Sequence, residues 1–218
     1  MSNFNMYVSN AVKVLRSNFD LLEKGEIPES YVEAGLTPMM IDSDILKLRN
    51  DYTENCGFTL VDMSWNRALV EHVIKNGRCL EVMAGTGLWS QALRKLGVDV
   101  ICTDNMEWER SHKKGWNEHR TEIIEMEATE AVRMYGKDVD YILMSWPYMD
   151  ITAYKVLQNM RIVNPNARLI YIGEGQTGCC ADDNFFEALD EVYTEGMQEV
   201  NRRYCSFPGI HDRLYLIK

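Results

Sequence analysis

Apolar positions along the chain follow two periods in turn. In the first sixty residues they recur at helical spacing. Val8, Val12, Leu15, Phe19 and Leu22 lie 4, 3, 4 and 3 apart, which predicts one helix with a single apolar face, ended by Gly25 and Pro28. Ile41, Ile45, Leu48 and Tyr52 predict a second helix over residues 39–52, with Pro38 at its first turn. Asp62 is placed to cap a third over residues 63–76, where Trp65, Leu69 and Val73 share a face and Gly77 closes the end.

From residue 78 the pattern changes to short continuous apolar runs separated by helical stretches. Runs at 78–83, 98–103, 121–125, 139–144 and 168–172 read as buried, parallel-type strands. Between them, Leu88, Ala92, Leu93 and Leu96 predict a helix that Gly97 ends, and residues 151–163 predict another that Asn164-Pro165-Asn166 stops. Asp182 or Asp183 would cap a helix with Phe185, Phe186, Leu189, Val192 and Tyr193 inward, ended by Gly196. Residues 199–204 and 213–217 read as two closing strands about the Pro208-Gly209 turn. The expectation is an α/β, doubly wound, seven-stranded and mostly parallel sheet with its last strand antiparallel. Residues 1–60 form an N-terminal helical extension to a sheet domain of residues 61–218.

Composition narrows the class. Of 218 residues, 46% are hydrophobic and 26% charged, so the chain can bury a core and is not disordered over most of its length. No apolar run approaches the ~20 residues needed to span a bilayer, and the first residues lack a secretory layout, so a cytoplasmic protein with no membrane partner is expected. A formal net charge of −10 disfavours nucleic acid as a partner. The densest basic cluster, Lys113-Lys114 with Arg110 before it, is too short to reverse that. Cysteines at 56, 79, 102, 179, 180 and 205 form no C-x-x-C pair, and the four histidines are scattered, so neither a disulfide framework nor a metal site is expected.

The chemistry concentrates in residues 78–105, RCLEVMAGTGLWSQALRKLGVDVICTDN. Strand, glycine turn, helix, strand and acid follow one another, and a unit of this kind binds its ligand at the carboxyl ends of the strands. Asp104, at the end of the second strand, is placed to take two ribose hydroxyls. A dinucleotide fingerprint needs a third glycine where Ser90 stands, which disfavours a nicotinamide oxidoreductase. Glu81, Gly85 and Gly87 resemble instead the acid-x-G-x-G-x-G motif of class I S-adenosylmethionine-dependent methyltransferases, with Met83 in place of the first glycine. A methyltransferase-like Rossmann fold and S-adenosyl-L-methionine as cofactor are what the resemblance implies. The implied cofactor wall is Glu81, Met83, Ala84, Gly85, Thr86, Gly87, Trp89, Asp104 and Asn105, with Glu127-Ala128 after the third strand reading the adenine edge.

Ser145-Trp146-Pro147-Tyr148, after the fourth strand, resembles the [DNS]-P-P-[YFW] motif of methyltransferases that act on amino nitrogens. By that resemblance Ser145 and the Trp146 carbonyl accept from the amino group, Pro147 stiffens the turn and Tyr148 stacks on the substrate. A turn with two aromatics packed on the sheet is the plain alternative. The tryptophan after the glycines, the Trp-Pro step and residues 170–186 together resemble a little-characterised group of methyltransferase-like proteins. Glu174, in a glycine-rich loop after the fifth strand, reads equally as a substrate-orienting or basic group and as a solvated loop acid. Trp65 and Asn66 are either at the cofactor rim or in the core. The helical preface either caps the ligand cleft or merely packs. The expected activity is methyl transfer to an amino group of a small molecule or protein. A non-catalytic binding protein acting through a protein partner is the alternative.

Overall fold

The computed structural model describes residues 3–111 and 119–218. Residues 112–118, which hold His112 and the Lys113-Lys114 cluster, lie outside the described residues. Two helices, α1 (Asn3–Glu23) and α2 (Ser43–Asn55), precede α3 (Met63–Leu69), which widens into a π-turn at Val70–Ile74. The sheet region then runs β1 (Cys79–Val82), α4 (Leu88–Lys95), β2 (Val100–Asp104), α5 (Glu107–Ser111), β3 (Ile124–Glu125), α6 (Ala128–Tyr135) and β4 (Tyr141–Ser145). It closes with α7 (Thr152–Val163), β5 (Arg168–Gly173), α8 (Asp183–Glu187), α9 (Glu195–Arg203) and β6 (Arg213–Ile217).

The six described strands lie in the order β3-β2-β1-β4-β5-β6, all parallel except β6, which runs antiparallel to β5. The order reverses between β1 and its neighbours β2 and β4, which opens a crevice at their carboxyl ends. β1 is buried along its whole length, as its continuous apolar run predicts.

The seventh expected strand, residues 199–204, is helical instead. Thr194 caps α9 by accepting from the Met197 amide at 3.1 Å, while Met197 and Val200, three apart, are buried. Glu199 pairs with Arg202 and Arg203 three and four residues on, support that only a helix provides. Gly196 therefore starts a helix where it was expected to end one. The preceding helix is correspondingly short: α8 stops at Glu187, Tyr193 is exposed, and Glu191 makes an isolated antiparallel bridge to Ile217 beyond β6. Helix α2 also begins later than its pattern suggests. The Asp42 carboxylate accepts from the Asp44 amide at 2.8 Å and sets the start, leaving Met39 and Ile41 exposed.

The helical preface shares a core with the sheet. Leu15, Leu22, Tyr31, Ile45 and Tyr52 belong to one buried cluster with Trp65, Leu88, Trp89 and Ile170. Asp62 ties the two parts together, capping α3 through the Trp65 amide (3.0 Å) and accepting from the Tyr31 amide (3.0 Å). Burial raises the Asp62 carboxyl to about 6.

Candidate active site

A cavity of about 390 Å³ occupies the crevice at the carboxyl ends of β1, β2 and β4. Its wall includes Glu81, Met83, Ala84, Gly85, Trp89, Asp104, Asn105, Glu127 and Ala128 from the cofactor prediction, and Ser145, Trp146, Pro147 and Tyr148 from the acceptor prediction. Thr86, Gly87 and Glu174 are not on that wall.

The turn between β1 and α4 is shaped by backbone that side chains resist. Met83, Gly85 and Gly87 have φ of 54°, 55° and 75°, in the left-handed region that glycine enters freely. Met83 pays for a conformation that the motif's usual glycine would adopt at no steric cost. At Gly87 a Cβ would come within 2.9 Å of Thr121 Cγ2, so a close approach as well as φ requires glycine there. Thr86 is buried and donates to the Cys56 carbonyl (3.0 Å), fastening the end of the helical preface onto the turn.

Glu81 is 2% exposed and accepts from the Ser90 amide at 2.9 Å and from the Ser90 hydroxyl in a short bond. Ser90 thus uses the site of a missing third glycine to hold a buried carboxylate at the N-terminus of α4. Burial still outweighs these bonds, and Glu81 is pushed up to about 7. Asp104 is 4% exposed. Its Oδ2 accepts from the Gly85 amide (2.8 Å), and its Oδ1 from the Met106 amide (2.7 Å) and Trp108 Nε1 (3.0 Å). A carboxylate offers about four acceptor sites, so these protein donors leave room for one more. The expectation that Asp104 takes two ribose hydroxyls reduces to one unless a protein donor lets go. Burial raises its carboxyl despite the three bonds.

Glu127 stands exposed at the start of α6, with Asn105 Nδ2 donating to its carboxylate at 3.3 and 3.4 Å. Trp89 is buried, its Nε1 donating to Asn66 Oδ1 (3.0 Å), whose Nδ2 donates in turn to the Asp62 carbonyl (2.7 Å). Asn66 therefore sits behind the wall, and Trp65, fully buried with Nε1 on the Leu60 carbonyl, belongs to the core.

On the β4 side, the Ser145 hydroxyl is 2.6 Å from the Thr59 hydroxyl. Trp146 has φ 47°, a value that proline, fixed near −65°, cannot take. The chain here departs from a Pro-Pro turn in conformation as well as in sequence. The Trp146 amide donates to the Ile172 carbonyl (2.8 Å), and its Nε1 donates to Asp212 Oδ2 (2.9 Å). Its ring stacks on Phe58, centroids 5.3 Å apart at 22°. Tyr148 is 66% exposed at the mouth.

Glu174 follows β5 as expected, but it is neither on the cavity wall nor a solvated loop acid. Only 8% exposed, it accepts from the Cys179 amide (3.0 Å) through Oε2 and from the His211 amide (3.0 Å) through Oε1. A carboxylate engaged in this way pins the glycine-rich loop to the segment before β6, away from the cavity wall. The sequence reading missed Cys56, Phe58 and Thr59, which bring the helical preface onto the wall, and Glu107, Trp108 and Asp150. It also missed Asp212 behind Trp146.

The described lining residues include Glu81, whose carboxyl burial pushes up to about 7, four further acids, Asp104, Glu107, Glu127 and Asp150, and no lysine, arginine or histidine. The turn amides of Ala84, Gly85 and Gly87 are already bonded to the Thr103 carbonyl, Asp104 and the Ala84 carbonyl. Such a wall suits a neutral or cationic ligand and opposes a pyrophosphate, which binds on free amides and positive charge. Among the described residues no group of histidine, cysteine and acid side chains could hold a metal ion, and no helix is long and apolar enough to cross a membrane.

No protein-family model and no curated protein matches the chain. Solved structures do. The magnesium protoporphyrin IX methyltransferase ChlM from Synechocystis PCC 6803, with bound SAM, is 10% identical over 79% of this chain and 81% of its own, with a TM-score of 0.46. A SAM-dependent methyltransferase from Archaeoglobus fulgidus is 10% identical over 72% and 92%, with a TM-score of 0.44. The CcbJ methyltransferase from Streptomyces caelestis is 14% identical over 51% of this chain, which spans about half (49%) of that protein, with a TM-score of 0.36. Similarities this distant carry no argument for activity. The strand order, the antiparallel final strand and the glycine turn after β1 make the fold class I methyltransferase-like.

Proposed function

We propose that the chain is an S-adenosylmethionine-dependent methyltransferase acting on an amino group of a small molecule or protein. The observation that carries this reading is the acidic cavity bounded by the glycine turn, Asp104 and the turn after β4. Its volume of about 390 Å³ falls within the ~300–1,000 Å³ usual for ligand sites. Its charge suits a sulfonium, which would supply an electrophilic methyl group. Gly85 and Met83 would lie against the ligand, the free acceptor site of Asp104 would take one ribose hydroxyl, and Glu127 with Ala128 would meet the purine edge. Ser145 would accept from the amino group through a lone pair that its bond with Thr59 leaves free, and Tyr148 would cover the acceptor. The protein's part is orientation and exclusion of water.

A non-catalytic binding protein is the second reading. The φ of 47° at Trp146, which the proline of the resembling motif cannot adopt, favours it. Incubation with methyl-labelled S-adenosylmethionine and a panel of amines decides between them: label transferred by the native chain and reduced in Tyr148→Ala supports the enzyme. No transfer to any amine, with the adenosyl ligand still bound, leaves the binding protein.

A further inference from the structure

The mouth of the cavity combines stacked aromatic rings with unneutralised negative charge. Phe58 is 46% exposed although apolar, and its ring lies against Trp146 on the cavity wall. Trp146 is held at both ends, by the Ile172 carbonyl and by Asp212. Asp212 is 7% exposed, and the same Oδ2 also accepts from the Tyr204 hydroxyl at 2.7 Å, so the carboxylate is locked from behind. The indole is therefore fixed, with Phe58 over one face, and the exposed Phe58 ring backed by it lines the mouth. Around it the field is negative: the Tyr148 hydroxyl is held protonated above its usual range by burial and then by Asp104, Glu107 and Asp150. An electron-rich ring face within a negative potential attracts an organic cation, and tryptophan is the strongest ring for it.

We propose that this mouth binds the methyl acceptor as an alkylammonium head group, seated on the Trp146–Phe58 pair, with Asp212 as the positioning residue that fixes the indole. The head group gives one proton to water at the open mouth before its freed nitrogen lone pair takes the methyl group and the thioether leaves. The proposal rests on the cavity being the acceptor site of a methyltransferase. The structural preference it describes can be measured without turnover. A neutral or anionic acceptor gains nothing from either element, whereas an ammonium gains from both.

The test is titration of the full chain at low ionic strength with choline and with its uncharged isostere 3,3-dimethylbutan-1-ol, read by tryptophan fluorescence and calorimetry. N-acetyl-lysine methylamide is titrated beside them. Choline or the lysine compound should bind about ten-fold tighter than the isostere. Choline, a quaternary cation with no lone pair to methylate, probes only the preference for positive charge, and tighter binding of the lysine compound than of choline assigns the head group to a protein side chain. Phe58→Leu and Asp212→Asn should each shrink the preference several-fold, and thermal melts report whether each variant is folded. In Asp212→Asn the emission assigned by Trp146→Phe should also shift, which a merely structural change elsewhere would not produce. Equal affinity for cation and isostere, or a preference unmoved in both folded variants, overturns the proposal. S-adenosylhomocysteine titrated in parallel keeps the two readings apart: its failure to bind sinks the methyltransferase, while a cation preference would stand.

Discussion

The Asp104 carboxylate accepts the Gly85 amide at 2.8 Å, joining the end of β2 to the turn after β1. One side chain thus shapes the glycine turn and faces the cavity. Asp104→Ala should weaken S-adenosylhomocysteine binding by about ten- to a hundred-fold, since a hydrogen bond to a charged group contributes ~1.5–3 kcal/mol. Calorimetric titration of both proteins measures it, and unchanged affinity removes Asp104 from the ligand site.

Glu81 makes stability depend on pH in an unusual direction. Its ordinary value is 4.5 and burial raises it to about 7 in the folded protein. Between those values the folded chain holds a proton that the unfolded chain has lost. Stability is therefore highest below the lower value, falls as pH rises towards about 7, and levels off above it. The loss attributable to Glu81 is about 3 kcal/mol. Asp62, raised to about 6, adds to the same slope. Urea unfolding of the native chain and of Glu81→Gln from acid to neutral pH should show a flatter curve for the variant. Parallel curves would contradict the buried, protonated state.

Trp146 offers a test of backbone conformation. Its φ of 47° and its amide bond to Ile172 both exclude proline. Trp146→Pro should cost at least about 3 kcal/mol in urea unfolding, even though proline is what the resembling motif carries there. A variant as stable as the native chain would show the turn to be ordinary.

Met83 reverses the usual order of alanine and glycine. Both substitutions lose the same packing, but at a φ of 54° glycine escapes the steric cost. Met83→Gly should be more stable than Met83→Ala by about 1 kcal/mol, read from paired chemical melts. Alanine equal or better would place the residue outside the left-handed region.

How much of this the chain disclosed in advance depended on range. The unit from β1 through β2 was legible because its apolar runs, its glycines and Asp104 lie within 27 residues of one another. The turn after β4 was legible as a place but not as a conformation, since the partners that hold Trp146, Ile172 and Asp212, lie far along the chain. Asp212 lies 66 residues from the indole it holds, and nothing local marks it. Phe58 and Thr59 were hidden for the same reason: the preface reaches the wall through contacts distant in sequence, the Thr86–Cys56 bond, the Thr59–Ser145 bond and the Phe58–Trp146 stack. Glu174 was ambiguous in sequence because its partners, the Cys179 and His211 amides, carry no residue-type signal. Residues 199–204 misled because the apolar pattern alone did not weigh Thr194 as a cap or the Glu199 pairs with arginine.

The acidic cavity beside the glycine turn is proposed to hold an adenosyl ligand and to refuse a pyrophosphate. Calorimetric titration of the full chain with S-adenosylhomocysteine and, separately, with NAD tests it most directly. Saturable, one-to-one binding of the first and no heat with the second is the predicted result. Binding of NAD, or no heat with S-adenosylhomocysteine, would contradict it.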